Sequence, residues 1–161
     1  FNERRSNLRD FFLAGLGISY KPSNKIEIYG NFSQNYRSVT FSDLRVSNPN
    51  FVIDPNLSDE KGYSIDIGIR KRYSKFLYFD VSAFYLAYQD RIGALVRYDT
   101  ILFKDYRFRT NVSDSRTIGL EALIELEILK WINKNAKSSL QYFLSASLTD
   151  GRYINTSDPS I

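Results

Sequence analysis

The chain has 161 residues, enough for one ordinary domain, and it contains neither cysteine nor histidine. Without thiols or imidazoles it can form no disulfide scaffold, thiolate zinc site or Ser-His-Asp triad, so only carboxylate-based catalysis stays formally open. The net charge of +4 comes from 22 basic and 18 acidic residues that are interspersed rather than gathered in one patch, and nucleic acid is therefore not an expected partner.

The first segments alternate apolar and polar residues with a period of two, which is typical of β-strands. The sequence predicts a first strand over 11–20 and a second over 25–35, joined by a tight turn at Pro22, Ser23 and Asn24. A loop of roughly 25 residues, up to Glu60, is expected next. All four prolines are expected outside the strands.

The third predicted strand, 61–70, has the strictest alternation. One face carries Tyr63, Ile65, Ile67 and Ile69, and the other carries Ser64, Asp66, Gly68 and Arg70. A short basic turn leads to a fourth strand over 76–88, in which Phe84 falls on the polar face and weakens the pattern.

A second long connection, 89–114, could extend the flanking strands as a protruding hairpin. A fifth strand is predicted over 116–127 and a sixth over 139–149, with a turn around Trp131 between them. Residues 117–126 also have fair helix propensity, but Gly119 and the period-two spacing favour a strand.

Short turns alternate with long loops along the chain, and this pattern indicates a transmembrane β-barrel with lipid outside and water inside. The polar faces carry Asp66, Asp80, Glu121 and Glu125, which suit a wet lumen better than a dry core. We therefore predict an all-β fold of antiparallel up-and-down strands, forming part of a barrel. A soluble β-sandwich is the competing fold.

Several segments carry a family resemblance: Gly15-Leu16-Gly17-Ile18-Ser19-Tyr20-Lys21-Pro22, Tyr29-Gly30-Asn31-Phe32-Ser33-Gln34-Asn35-Tyr36-Arg37, Glu60-Lys61-Gly62-Tyr63, Tyr88-Gln89-Asp90-Arg91-Ile92-Gly93 and Gly119-Leu120-Glu121. In order and spacing they resemble the later barrel strands of TonB-dependent outer-membrane receptors, in particular the ferric-citrate receptor branch. The resemblance implies a barrel of about 22 strands, of which about six lie here. Residues 1–161 are thus expected to be part of one barrel domain, with the plug domain and barrel ends outside the sequence.

The resemblance implies a function as well. Such a receptor actively imports a ferric chelate, here ferric citrate, across the outer membrane of a Gram-negative bacterium, energised by the TonB complex through the plug. It is not an enzyme and needs no cofactor, since iron arrives already chelated. Outer-membrane lipid and lipopolysaccharide are the other expected partners. Alternatives are another siderophore, cobalamin or a glycan as substrate, a passive porin or structural barrel, and an outer-membrane hydrolase.

Arginine is the natural partner of an anionic chelate, because its planar fork matches a carboxylate with two parallel hydrogen bonds. The candidate ligand-binding residues at the mouth are Arg37 and Arg45 in the first long loop, Arg97, Lys104, Arg107 and Arg109 in the second, and Gln34, Asn35 and Tyr36 beside them. Arg97, Arg107 and Arg109 are expected to lie close together on the hairpin. Arg91 and Arg116 are expected to be charges of the lumen wall or the interface. Solvated side chains or contacts with lipopolysaccharide phosphates are the alternative for the loop arginines.

Overall fold

The computed structural model describes residues 11–45 and 48–156, and most of them lie in strands. The elements are β1 (Gly15–Ser23), β2 (Ile26–Arg37), α1 (Phe41–Leu44), β3 (Phe51–Ile53), β4 (Glu60–Arg72), β5 (Leu77–Asp99), β6 (Lys104–Glu127), α2 (Ile128–Ile132) and β7 (Gln141–Ile154). Neither α1 nor α2 is longer than five residues, and no helix of the described residues is long and apolar enough to cross a membrane.

Six long strands form an antiparallel meander in the order β1-β2-β4-β5-β6-β7, each hydrogen-bonded to the next. The sheet is open, because no pairing joins β1 to β7 within the described residues. The predicted all-β, up-and-down fold is therefore confirmed as part of an unclosed barrel wall. Residues 117–126 are strand rather than helix.

The register places most apolar residues of these strands in shared rows on one side, which we call the apolar face. One such row is Gly30–Ile67–Ala83–Leu120–Leu148, and the row beside it is Phe32–Ile65–Tyr85–Ile118–Asp150. Aromatic rings gather toward the long-loop end of this face, where the Tyr63 and Tyr85 rings stack with centroids 5.9 Å apart.

No second layer formed by residues 11–45 or 48–156 covers the apolar face. Ile67 is 60% exposed and Leu120 55% exposed, and the described residues include only two buried apolar side chains, Leu95 and Val112. A soluble sandwich would bury this face in its core, so the structure contradicts that alternative.

The opposite side of the sheet, the polar face, pairs charged groups across its strands. The Tyr29 hydroxyl donates to Asp80 Oδ1 at 2.7 Å. The Arg70 guanidinium lies 4.3 Å from the centre of the Tyr29 ring and 3.4 Å from Asp80. Cross-strand pairs of this kind stabilise the sheet on the side that water reaches.

Phe84 lies on the polar face because it covers a glycine. It is directly opposite Gly119, and a Cβ atom on Gly119 would collide with the Phe84 ring and stand 2.9 Å from the carbonyl oxygen of Leu148. The ring thus lies against bare backbone, which explains the break in the alternation of β5.

A Gly119→Ala substitution is expected to lower the free energy of unfolding of the full-length protein by about 1–2 kcal/mol, because the methyl group collides with both the ring and the backbone. Gly151→Ala is the matched control, since its Cβ would have no neighbour closer than 3.6 Å. Urea unfolding in vesicles measures both. Equal stability of the two variants would contradict this packing.

The strands differ from the predicted ones mainly at their ends. β5 and β6 are 23 and 24 residues long, because the second long connection does continue them as a hairpin. The prediction of Pro22 in a turn is wrong, since it lies inside β1, at the register irregularity between Tyr20 and Ser23, where proline costs no ladder hydrogen bond. The first long loop contains α1 and β3, neither of which the sequence predicts.

Candidate functional site

The extension of β5 and β6 forms an arm, defined here as Ile92–Asp99 paired with Lys104–Asn111. At its base β5 departs from regular pairing between Tyr88 and Ile92, and Asp90 has a φ of 57°. A local irregularity of this kind bends a strand and increases its twist. The arm is thus connected to the rest of the sheet through an irregular segment centred on Asp90.

The first long loop pairs with the arm, and we call the segment that does so, residues 50–58, the strap. β3 pairs in parallel with β6, Phe51–Ile53 beside Arg107–Arg109. Backbone bonds of 2.8 Å, from Arg107 N to Asn50 O and from Asp54 N to Arg109 O, enclose this pairing. Asn111 closes the strap by accepting from the backbone N–H of Ser58 at 2.8 Å.

An ionic cluster on the polar face joins loop, wall and arm. We call it the mouth cluster: Arg37, Asp43, Glu60, Arg91 and Arg109. Arg37 donates to both carboxylates, at 3.0 Å to Asp43 Oδ2 and 3.0 Å to Glu60 Oε1. Arg109 donates to Asp43 Oδ1 at 2.7 Å, and Arg91 lies 3.9 Å from Glu60.

Both carboxylates of the mouth cluster are buried, Asp43 at 3% exposure and Glu60 at 5%. Glu60 also accepts from the backbone N–H of Ile92 at 2.9 Å, and Asp43 accepts from the N–H and hydroxyl of Thr40. Burial alone would raise the pKa of Asp43, but the hydrogen bonds from Thr40 and Arg37 outweigh it and hold that pKa below its usual range. Asp43 is therefore a fixed anion that holds α1 against the wall.

The lowered pKa of Asp43 predicts how the loop responds to acid. A depressed carboxyl pKa adds stability above the unfolded-state pKa and loses it as the pH falls through the folded-state pKa. We expect the attachment of α1 to stay constant from about pH 8 to about pH 5 and to weaken only below about pH 4. Electron paramagnetic resonance of a spin label on Phe41→Cys measures the attachment of α1. Phe41 is an 83% exposed residue of α1, and these 161 residues contain no other cysteine. Increased label mobility already at about pH 6 would contradict this assignment.

The structure brings some of the predicted ligand-binding residues together and separates others. Arg37 and Arg109 meet on Asp43, and Arg107 lies on the same polar face, exposed and with no side-chain partner among the described residues. Arg97 is opposite Tyr106 and stacks over the Phe108 ring at 4.1 Å, so it faces the other side. The three arginines do lie on one paired hairpin, as predicted, but Arg97 is on the opposite face from Arg107 and Arg109.

The remaining candidates are peripheral to the mouth cluster. Gln34 lies on the apolar side of β2, opposite Tyr63, and its Oε1 accepts from the Ala14 N–H at 3.0 Å. Tyr36 is on the same side and donates to Asp59 at 2.5 Å. Arg45 is exposed just after α1, and Lys104 donates to Asn50 Oδ1 at 3.0 Å.

Sequence reasoning missed Asp43 and Glu60. Counting by two along β6 from Glu121 would have placed Arg107 and Arg109 on the polar face, and the same count along β5 from Asp80 would have placed Arg97 on the apolar side. The pattern Thr40-x-x-Asp43 could have marked a helix start, but nothing in the sequence links Asp43 to Arg109, which is 66 residues away along the chain.

The site offers hydrogen-bond donors rather than metal ligands. Among the described residues there is no group of three or more acidic side chains that could hold a metal ion. The sequence has no histidine, cysteine or methionine. What the mouth can do chemically is bind an anion through guanidinium groups.

The comparisons with known proteins agree on the architecture. Residues 2–160 match the family model described as "TonB dependent receptor-like, beta-barrel". The fold is similar to that of the copper transporter OprC, with 16% identity, a TM-score of 0.63 and coverage of 88% of this chain and 20% of that one. It is equally similar to the FrpB iron transporter from Neisseria meningitidis (F3-3 variant), with 14% identity, a TM-score of 0.63 and coverage of 89% and 20%. This chain spans about a fifth of the length of those structures, and no curated protein matches it.

Proposed function

The chain belongs to the TonB-dependent receptor-like β-barrel family, and from this membership we propose that the protein is an outer-membrane receptor that actively imports a metal as an anionic chelate. Energy would come from the TonB complex, acting through a plug domain inside the complete barrel. The observation that carries the proposal is the two-faced wall. In the part of the chain that the structure describes, one face of the sheet is a largely apolar surface without a covering layer, and the reverse face is polar and paired across its strands.

The charge balance of the mouth favours an anionic ligand. In the mouth cluster three arginines face two carboxylates, and Arg107 adds a further cation on the same face. Because Arg37 and Arg109 already donate to Asp43, the guanidinium group of Arg107 is the most accessible one. We propose Arg107 as the ligand contact and the mouth cluster as its support.

The donor chemistry favours a chelated metal over a bare one. Copper and other soft metals prefer sulphur and imidazole ligands, which these 161 residues do not contain. A chelate such as ferric citrate presents carboxylates instead, and a guanidinium group binds them without displacing the metal's own ligands. Ferric citrate is accordingly the substrate that we propose to test first.

The test is uptake by a strain from which the complete gene is deleted. We expect the deletion strain, lacking any redundant receptor, to lose growth on ferric citrate as the sole iron source, and plasmid-borne wild type to restore it. Arg107→Gln should restore growth poorly, whereas Lys137→Gln, which removes an exposed charge at the short-turn end, should restore it fully.

Energy coupling is measured separately, as accumulation of radiolabelled ferric citrate with and without a protonophore. Uptake that persists after the proton gradient collapses would indicate a passive pore. Full growth of the deletion strain on ferric citrate, together with a defect on another siderophore, would refute citrate and leave the receptor class intact.

A further inference from the structure

Two arginines face each other on the apolar face, at its long-loop end. Arg116 of β6 is directly opposite Arg152 of β7, in the row Gln34–Tyr63–Ala87–Arg116–Arg152. Directly opposed residues of antiparallel strands have Cβ atoms about 5 Å apart. The next row toward the short turns is largely apolar and includes Ile65 and Ile118. The arginine pair thus marks the upper boundary of the apolar surface.

The charges of this pair are only partly compensated by the described residues. Arg152 makes an exposed ion pair with Asp150 at 2.9 Å. Arg116 forms no ion pair with any described residue, and its Nε is buried without a hydrogen-bond partner. The nearby carboxylate of Asp114 is occupied by the Asp90 N–H and the Asn155 amide, each at 3.1 Å.

A like-charge pair placed directly across two strands destabilises a sheet unless something lies between the charges. An isolated guanidinium group with a buried, unpaired N–H is costly as well. A phosphate group would remove both the repulsion and the unpaired N–H, because it carries the opposite charge and accepts hydrogen bonds in the fork geometry of arginine.

We propose that Arg116 and Arg152 together bind a phosphate group of the phosphorylated glycolipid of the outer leaflet. The inference goes beyond substrate uptake and needs only the membrane placement of the wall. The occupant is a lipid rather than a free anion, since the pair is continuous with the apolar face on which the acyl chains would lie. Tyr63, in the same row, fits the headgroup boundary where aromatic rings concentrate.

The experiment uses the full-length receptor, purified in detergent and stripped of bound lipid, with bisphosphoryl lipid A as the probe and native mass spectrometry as the readout. We expect Arg116→Gln and Arg152→Gln each to weaken the apparent Kd by about tenfold, which corresponds to about 1.4 kcal/mol. Arg116→Lys should recover part of the affinity, because it keeps the charge but loses the fork. Lys134→Gln is the matched control and should bind like wild type.

Three further arms identify the source of the phosphate. Dephosphorylated lipid A should bind weakly, millimolar inorganic phosphate should not displace lipid A, and EDTA should leave binding unchanged. The proposal would be overturned if both glutamine variants bound lipid A with wild-type affinity, or if inorganic phosphate displaced lipid A. It would also be overturned if EDTA abolished lipid A binding, because that result would indicate a cation bridge on Asp114 and Asp150. Heat-modifiable gel mobility confirms that every variant is folded.

Discussion

An Ile67→Arg variant of the full-length protein is expected to lose about 2–4 kcal/mol of unfolding free energy in lipid vesicles, the cost of a cation near the midplane of a bilayer. Ile67 lies in the middle of the apolar face, between Gly30 and Ala83, and it is 60% exposed. Neither neighbour offers an anion or a hydrogen-bond acceptor side chain. The introduced guanidinium group would therefore remain unpaired in hydrocarbon.

Asp66→Arg is the matched control, because it makes a larger charge change one residue away on the polar face. Asp66 stands between Asn31 and Phe84, on the side that water reaches. We expect it to cost well under half as much as Ile67→Arg. Equal costs, or the reverse order, would mean that the two faces of the sheet have been exchanged.

Removal of Asp43 is expected to release the first long loop. Asp43→Ala leaves Arg37 and Arg109 without their shared anion, and breaking a buried ion pair costs several kcal/mol. Arg37 is 42% exposed, so water offsets part of that cost. We expect the free energy of local opening to fall by about 2–4 kcal/mol, which corresponds to hydrogen exchange about 30-fold or more faster in the loop amides.

The control for this release is Asp105→Ala, which removes an exposed carboxylate from the same strand as Arg109. Exchange of the loop amides in that variant should match wild type. If Asp43→Ala leaves exchange of residues 38–59 unchanged while the barrel stays folded, the mouth cluster does not hold the loop.

The strands of the barrel wall could be predicted from sequence because they depend on the pattern of neighbouring residues. In β4 the alternation of Ile65, Ile67 and Ile69 with Ser64 and Asp66 fixes strand type and both faces together, since a slip of one residue would expose every side chain to the wrong solvent. The antiparallel order follows from the short turns. The family resemblance then supplied the barrel, and the family match bears it out.

The mouth could not be predicted in the same way, because its contacts join distant segments. Phe51–Ile53 consists of β-forming residues but is too short to be recognised as a strand from sequence, and its partner Arg107–Arg109, near the start of β6, follows only after the whole of β4 and β5. The sequence pattern singled out Arg37 and Arg109 as candidate ligand contacts, but it could not show that both guanidinium groups donate to Asp43. The ligand itself stays a prediction.

The parallel pairing of β3 has a consequence for the order of folding. The β5–β6 hairpin closes across the short turn between Asp99 and Lys104, whereas Phe51 meets Arg107 only after the whole of β4 and β5 has been placed between them. Closure of a long chain segment costs more entropy than closure of a short one, and contacts between distant segments form slowly. The hairpins can therefore form one after another, each beside its neighbour. The strap then pairs with β6 last, when the strands of the wall are already in place.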